Sequence, residues 1–328
     1  MPSGEDRLIQ RFFRPLARDP AALDLADDAA VIAPPAGADL VLTTDGVIEG
    51  VHFFPDDPAD AIARKALRAN LSDLAAKGAA PLGFLLSLAL NDKADEKWLA
   101  SFAAGLGADA EAFGCPLLGG DTDHTPGLLS VSISAFGSLP HGTMVKRAGA
   151  RAGDRIVITG TVGDAALGLA LRREPARAER AGLTPQERAH LTGRYLLPEP
   201  RLALAAALRA HANAAIDISD GLAGDLMKLA AASGVSVRVE ARRLPLSPAA
   251  QKMVAAEPAL LAAGLTGGDD YEILAAVSPA ALEALQGAAT AAGIALREIG
   301  VAGAGTGVEI VGPDNRPMEL AHPSFSHF

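Results

Sequence analysis

Short apolar runs alternate with amphipathic segments along the first part of the chain. The run at 39–45 (DLVLTTD) predicts a strand that ends in a carboxylate, and the run at 83–90 predicts a buried strand. Between them, residues 58–77 have the apolar spacing of a helix, and a second helix is predicted from about Asp95 onward. Apolar residues alternate with serines over 129–135, which predicts a strand with one buried face. This order of elements favours a mixed α/β or α+β domain.

The predicted helix at 58–77 carries two polar residues on one shared face. Gly78 follows the helix and is expected to end it. Asn70 and Asp73 are three residues apart, so they project from one face of the helix.

A segment with neither periodicity separates the two halves of the chain. Residues 137–153 (GSLPHGTMVKRAGARAG) are rich in glycine and basic residues, and we predict the domain boundary there, with domains at 1–138 and 139–328. A second α/β series is predicted beyond it. Its strands are expected at 155–159, 215–218, 235–240 and 272–277 and near Ile294 and Val308, and its helices at 164–172 and 279–291, around Gln186 and Leu202, and from about Asp220.

Charge and composition narrow the class of protein. The 328 residues carry a net charge of −10, which argues against nucleic-acid binding through bulk charge. Hydrophobic residues make up 49% of the chain, enough for a folded core. Cys115 is the only cysteine, which excludes an intrachain disulfide and a zinc site built from thiolates. No secretory signal or membrane-spanning run is present in the sequence, so we expect a cytoplasmic protein without membrane association.

Aspartates recur at predicted turns, beside small residues, along the whole chain. A single such aspartate is usually a helix cap or a turn carboxylate, and for Asp220 that interpretation is about as good as a functional one. If the whole set converges, its members repel one another unless cations intervene, because none has an evident Lys or Arg neighbour. Oxygen-only ligands favour a hard cation, Mg²⁺ first. The set comprises Asp27, Asp28, Asp45, Asp73, Asp121, Asp217, Asp220, Asp269 and Asp270.

The common nucleotide-binding signatures are absent, but two glycine pairs and a basic pair remain. The sequence has no Gly-Lys pair for a P-loop and no G-x-G-x-x-G. The pairs at 119–120 and 267–268 each precede an aspartate, and after a strand such a pair lets backbone N–H groups approach a phosphate. Each pair is also typical of a plain turn. Lys146 and Arg147 are suited to clamp a phosphate, or to lie in solvent as linker charges.

Nine sequence blocks carry a resemblance to a known family. In order they are ADDAA (26–30), TTDGVIEGVHF (43–53), NLSDLAAKGAAP (70–81), LLGGDT (117–122), KRAGARAGD (146–154), TGTVGDAALGLA (159–170), AIDISDGL (215–222), GGDDYE (267–272) and HF (327–328). Over essentially the whole chain they resemble the thiamine-monophosphate kinase family of the aminoimidazole ribonucleotide synthetase-like superfamily. Two positions depart from the family pattern: Ala26 stands where the family usually has Gly, and Asp269 where it has Glu.

The resemblance implies a fold, a reaction and a set of site residues. The fold is a two-domain α/β arrangement whose N-terminal sheets pair in a homodimer and whose C-terminal domain completes the phosphate and substrate site. The reaction is phosphorylation of thiamine monophosphate to thiamine diphosphate, with ATP as co-substrate. By match to the family motifs, catalysis would depend on Asp73, Asp121 and Arg147, and several Mg²⁺ ions would be held by Asp27, Thr43, Thr44, Asp45, Asp73, Asp121, Asp217 and Asp220. By the same match, ATP would contact Gly119, Gly120, Asp121, Arg147 and Ser219. Thiamine monophosphate would contact His52, Asp269 and Phe325.

Elementary chemistry agrees with this reaction. A phosphate monoester is mostly deprotonated at pH 7, so the acceptor needs no general base. The obstacle is repulsion between the acceptor and the ATP phosphates, which positioning and metal ions relieve. A site of aspartates without a Ser, Cys or His nucleophile therefore suits direct in-line transfer. Two alternatives stay open: another ATP-dependent synthetase of the superfamily, and a non-catalytic protein that binds ATP with Mg²⁺.

Overall fold

The chain divides into two compact units, each with its own sheet. The computed structural model describes residues 4–320, 322 and 324, with only the backbone of Asp6. Unit 1 contains residues 4–74 and 79–143, and unit 2 contains residues 75–78 and the chain from Met144 onward. Within these described ranges, no helix combines the length and the apolar character needed to cross a membrane.

Unit 1 is built on a four-stranded mixed sheet. Its strands are Ala38–Ile48 (β1), Ala80–Leu90 (β2), Leu117–His124 (β3) and Ser130–Pro140 (β4), and its helices are Gly4–Leu8 (α1), Ala59–Lys77 (α2, with its last turn in unit 2) and Glu96–Ala112 (α3). The strand order is β1-β4-β2-β3. Strand β4 pairs antiparallel with β1 and β2, and β3 runs parallel to β2.

Side-chain alternation in β4 follows the sequence pattern. Val131, Ile133 and Ala135 are fully buried, while Ser132 and Ser134 lie on the other, more open face. The prediction of a strand with one buried face is confirmed. The predicted strands at 39–45 and 83–90 and the two predicted helices are also present as β1, β2, α2 and α3.

Unit 2 holds a six-stranded mixed sheet with helices around it. Its strands are Arg155–Thr159 (β5), Ala212–Asp217 (β6), Ser236–Glu240 (β7), Ile273–Val277 (β8), Leu296–Gly303 (β9) and Gly307–Val311 (β10). Its helices are Asp164–Arg173 (α4), Arg177–Arg180 (α5), Pro185–Leu196 (α6), Ala205–His211 (α7), Leu222–Ser233 (α8), Pro248–Ala256 (α9), Leu260–Thr266 (α10) and Leu282–Ala291 (α11). In the order β10-β7-β9-β5-β8-β6, only β10 and β7 are parallel neighbours. The two mixed sheets confirm the predicted α/β class.

A buried ion-pair cluster joins α2 to α3 in unit 1. The carboxylate of Asp109 accepts hydrogen bonds from Arg64 Nε at 3.0 Å and from Arg68 Nε at 2.5 Å. The Asp109 side chain is 2% exposed, and these two guanidinium groups offset the cost of burying it. A second acidic residue of α3, Glu96, pairs with Arg11 on the open surface.

We predict that Asp109→Asn lowers the free energy of unfolding of unit 1 by about 3–5 kcal/mol, because it leaves two arginines without their shared carboxylate. The matched control Glu96→Gln removes an exposed pair and should cost less than about 1 kcal/mol. Trp98 is the only tryptophan and lies on α3, so its fluorescence during urea unfolding follows this unit. Equal midpoints for the two variants would contradict the prediction.

Candidate active site

Polar side chains join helix α2 to strand β1 where the sequence predicts metal ligands. Thr43 Oγ1 donates a short hydrogen bond to Asp73 Oδ2. One turn earlier on the helix, Asn70 Oδ1 accepts a hydrogen bond from the backbone N–H of Asp45 at 3.1 Å, and its amide donates to the carbonyl of Ala66. Asn70 and Asp73 therefore share one helix face, as predicted, and that face meets β1.

Thr44 lies on the other face of the same strand. Its hydroxyl donates to the carbonyl of Ile133 at 3.1 Å and accepts from Ser134 Oγ at 3.1 Å, both on β4. The structure therefore brings the side chains of Thr43 and Asp73 together and directs the Thr44 hydroxyl to β4, as strand alternation requires.

The glycine pair at 119–120 lies inside strand β3 and does not follow it. Gly119 and Gly120 are paired with Leu85 and Leu86 of the parallel strand β2. An ideal Cβ on Gly120 would lie 1.9 Å from the carbonyl oxygen of Leu86, so no other residue fits there. The interpretation of this pair as a loop after a strand is wrong, because the parallel pairing continues through Asp121 to His124.

Unit 1 contains a cleft of about 830 Å³ that two of the predicted site segments line. Asp27 and Asp28 contribute to its lining, together with Gly119, Gly120 and Asp121. Asp27 accepts a hydrogen bond from the N–H of Asp28 at 2.8 Å, and Asp121 accepts one from the N–H of Thr122 at 3.0 Å. Because both aspartates are exposed, their carboxylates remain accessible to a ligand.

His52 lies in the loop that connects β1 to α2. Its Nδ1 accepts a hydrogen bond from the backbone N–H of Ile48 at 3.0 Å, and its carbonyl accepts one from Lys65 Nζ at 2.9 Å. Lys65 is a buried residue of α2. Two groups of unit 1 thus hold the loop at His52: the N–H of Ile48 bonds its side chain, and the ammonium of Lys65 bonds its backbone carbonyl.

In unit 2, the segment after β6 lies beside the segment before β8. The N–H groups of Asp269 and Tyr271 donate to the carbonyls of Ser219 and Ile218 at 2.9 and 2.8 Å. Asp269 and Tyr271 both have positive φ, 73° and 51°. An ideal Cβ on Gly268 would lie 2.2 Å from the carbonyl oxygen of Ser219. The glycine pair at 267–268 therefore permits a close backbone approach that other residues would block.

Asp220 has a lysine partner, which corrects the expectation that no member of the aspartate set has one. Lys228 Nζ donates a short hydrogen bond to Asp220 Oδ2 and another to Asp225 Oδ1 at 2.7 Å. Asp220 is also not the helix cap, because α8 begins at Leu222 after Gly221, which has no capping side chain.

Asp225, on the first turn of α8, stabilises the Ser219–Asp220 backbone. Its Oδ2 accepts hydrogen bonds from the N–H groups of both residues at 3.0 Å. Burial raises the pKa of Asp225, and Lys228 opposes that shift. Burial also opposes the charge on Lys228, but its hydrogen bonds to Asp220 and Asp225 outweigh this and raise its pKa.

Asp270 has a structural position next to Asp269. Its fully buried carboxylate accepts hydrogen bonds from the N–H groups of Gly163 and Ala165 at the start of α4, at 2.6 and 3.2 Å. Burial, with a smaller contribution from the nearby Asp164 carboxylate, outweighs these backbone hydrogen bonds and raises the pKa of Asp270 to about 8. Asp270 thus caps a helix.

Arg147 is exposed, and its backbone is tied to the end of α8. Ser233 Oγ donates to the carbonyl of Arg147 at 3.3 Å and accepts from the N–H groups of Gly149 and Ala150 at 3.1 Å. This arrangement leaves the Arg147 guanidinium on the surface of unit 2. Phe325, the predicted aromatic contact, lies outside the described residues.

The oxygen donors fit Mg²⁺ by their chemistry. In the part of the chain that the structure describes, no three or more His, Cys, Asp or Glu side chains are grouped as ligands for one metal ion. Mg²⁺ is commonly held by one or two carboxylates together with waters and substrate phosphates. The Thr43–Asp73 pair and the exposed carboxylates of Asp27 and Asp121 match that mode.

Sequence reasoning missed the Asp225–Lys228 pair. These two residues are three apart on α8 and thus on one helix face, which was a signal for a local ion pair. No local sequence signal indicated that Asp225 accepts hydrogen bonds from the backbone of the loop before the helix.

Comparison with known proteins places the chain in a family. Residues 26–139 match the family of AIR synthase related proteins, N-terminal domain, and residues 151–312 match the corresponding C-terminal domain. The thiamine-monophosphate kinase of Caulobacter vibrioides is 45% identical over 95% of this chain and 88% of its own length.

Two solved structures agree with this match over most of the chain. The crystal structure of thiamine-monophosphate kinase from Stenotrophomonas maltophilia is similar with a TM-score of 0.85 and 38% identity, over 97% of this chain and 99% of that one. The structure of AaThiL complexed with AMPPCP and TMP has a TM-score of 0.76 and 29% identity, over 92% and 91% of the two chains. This chain therefore belongs to the thiamine-monophosphate kinase family of AIR synthase related proteins.

Proposed function

We propose that this chain makes thiamine diphosphate by moving the γ-phosphoryl group of ATP directly onto the phosphate of thiamine monophosphate. The reaction is that of its family, and the observation that supports it most strongly is the match along nearly the whole chain to a thiamine-monophosphate kinase at 45% identity. The complex of AaThiL with AMPPCP and TMP supports the same pair of substrates. We place the reaction in the cytoplasm, where ATP is plentiful.

The carboxylates of both units are proposed to hold several Mg²⁺ ions. When bound, these ions would neutralise charge on the transferring phosphoryl group. In unit 1 the Thr43–Asp73 pair is the best supported, because Asp73 is held in place by its helix and by the Thr43 hydroxyl. The full proposed set is Asp27, Thr43, Thr44, Asp45, Asp73 and Asp121 in unit 1 and Asp217 and Asp220 in unit 2.

The remaining site residues are proposed to bind the two substrates. Arg147 has an exposed guanidinium suited to bidentate contact with phosphate oxygens of ATP. Asp269 would attract the cationic thiazolium of thiamine monophosphate, and His52 and Phe325 would contact the same substrate. Gly119, Gly120 and Ser219 would complete the ATP contacts.

Direct transfer is favoured over a covalent relay. Burial raises the pKa of the Cys115 thiol to about 12, so the only thiol of the chain is protonated at neutral pH. A protonated, buried thiol cannot carry a phosphoryl group between two bound substrates. The acceptor phosphate supplies its own nucleophilic oxygen, and the protein residues bind, orient and neutralise.

The open face of the unit 1 sheet is proposed to be covered by a second copy of the chain. Leu40 and Leu42 on β1 are 43% and 65% exposed, and the apolar face continues through Leu85 and Phe136 into the cleft. Exposed apolar residues that are contiguous in this way are typical of a protein interface. A homodimer formed through this sheet would bury them.

Purified protein with ATP, Mg²⁺ and thiamine monophosphate should form thiamine diphosphate and ADP in equal amounts, as resolved by chromatography. Free thiamine should be a poor acceptor, because its protonated hydroxyl needs a base that the proposed site lacks. Reaction of another acceptor while thiamine monophosphate stays intact would move the chain to a different synthetase of the superfamily. Binding of ATP without turnover would favour the non-catalytic alternative.

Replacing Asp73 by Asn should lower turnover by about 10²- to 10³-fold at saturating substrates, because one ligand charge is lost at the phosphoryl group. The melting temperature should change little, since Asn still accepts a hydrogen bond from Thr43. The control is Asp92→Asn, which alters a carboxylate of unit 1 that is 97% exposed and should leave turnover unchanged. Wild-type turnover in Asp73→Asn would remove Asp73 from the ligand set.

Leu42→Asp should convert the proposed dimer to a monomer, because a charge at the centre of an apolar interface would have to be buried. Sedimentation velocity measures this directly. The control Val301→Asp places the same charge on a partly exposed apolar position of β9 and should leave the sedimentation coefficient unchanged. A Leu42→Asp variant that sediments like the wild type would show that this face is not the interface.

A further inference from the structure

The end of β6 and the loop that follows it to α8 carry three of the proposed site residues. Asp217 is the last residue of β6, and Ser219 and Asp220 follow it before Gly221 precedes α8. Gly221 has φ of 106°, and an ideal Cβ there would lie 2.7 Å from the backbone of Thr266. The backbone of this loop is therefore tightly constrained.

Asp225 adds a second constraint from inside the fold. Its side chain is 1% exposed, and one of its oxygens accepts the N–H groups of both Ser219 and Asp220. Burying a carboxylate is costly, and a nearby positive charge offsets part of that cost. Lys228 provides that charge at 2.7 Å.

Lys228 also neutralises Asp220. Its ammonium bridges Asp220 Oδ2 and Asp225 Oδ1, so one cation serves two carboxylates. The Lys228 and Asp220 side chains are each 37% exposed, whereas Asp225 is enclosed. Solvent and dissolved ions therefore reach the Asp220 end of the bridge and not the Asp225 end.

The ammonium of Lys228 bonds Oδ2, one of the two carboxylate oxygens through which Asp220 would bind a divalent cation. Two cations at one oxygen repel each other strongly at such short range. A lysine has a long, flexible stem with rotatable donors, so its ammonium can leave one partner while keeping the other. Asp225, being buried, is the partner that Lys228 cannot leave at low cost.

We propose that Lys228 is an internal counter-ion that competes with Mg²⁺ for Asp220. Without a divalent cation, Lys228 holds the Asp220 carboxylate in place, and its ammonium balances the negative charge of that carboxylate. When Asp220 binds a divalent cation, Lys228 withdraws from Oδ2 and remains on Asp225, so the loop backbone keeps its position. The inference rests on Asp220 as a Mg²⁺ ligand, which is part of the proposed function.

The test is the affinity for Mg²⁺ alone, measured by calorimetry on the full chain and by the rise in melting temperature with Mg²⁺ concentration. Lys228→Gln should bind Mg²⁺ about three- to tenfold more tightly than the wild type, because the competing charge is gone. Without Mg²⁺, Lys228→Gln should also melt at a lower temperature than the wild type. Its melting temperature should rise more on addition of Mg²⁺ than that of the wild type. Lys228→Arg keeps the charge and should not bind more tightly than the wild type.

A matched control is the same Lys-to-Gln substitution at a lysine that does not contact Asp220. Lys252→Gln removes an ammonium that is 44% exposed and bonded to Glu187, also in unit 2, and should leave Mg²⁺ affinity unchanged. If Lys228→Gln binds Mg²⁺ no more tightly than the wild type, or if Lys252→Gln tightens binding equally, the proposal is overturned.

Asp220→Asn separates failure of this proposal from failure of the ligand assignment. It should weaken Mg²⁺ binding if Asp220 is a ligand. Weaker binding in Asp220→Asn together with unchanged binding in Lys228→Gln overturns the counter-ion role alone. Unchanged binding in Asp220→Asn overturns both the ligand assignment and the role of Lys228.

Discussion

Hydrogen bonds to carboxylates determine how the functional segments of both units are held. A buried or partly buried carboxylate is costly unless hydrogen-bond donors or cations meet it. In unit 1 a hydroxyl on β1 meets Asp73. In unit 2 two amides and an ammonium meet Asp225, and two amides at the start of α4 meet Asp270. These donors keep the acidic residues in defined positions while leaving the outermost carboxylates accessible to solvent.

Much of the fold could be predicted because its signals are local. The first half of strand β4 alternates polar and apolar residues, and α2 ends at Lys77 directly before a glycine, so both were evident from the sequence. Strand β3 was not fully evident. Its residues 119–124 are polar or glycine, and they form a strand only because β2 pairs with them along their length. Local propensity cannot show a pairing with a segment some thirty residues away.

The candidate site also combines features that local sequence predicts with features that only the fold determines. The shared face of Asn70 and Asp73 follows from helical spacing. The proposed role of His52 comes only from resemblance to a family, whereas that of Arg147 also follows from its positive charge in the segment between the two domains. The partner of Asp220 could not be predicted, since it requires the direction of the loop before α8. Asp269 and Asp270 are adjacent and chemically identical, yet Asp269 is partly exposed with a positive φ and Asp270 is buried at a helix start. Only the fold distinguishes them.

The burial of Cys115 affects how this chain tolerates its surroundings. Oxidants and alkylating reagents attack the thiolate, and a solvent-inaccessible thiol with its pKa near 12 offers almost none at neutral pH. Cys115 is therefore a poor target for such reagents in the folded chain. A cysteine introduced at any exposed position becomes the only modifiable thiol, so a single dye or spin label can be attached to either unit without altering the native residue.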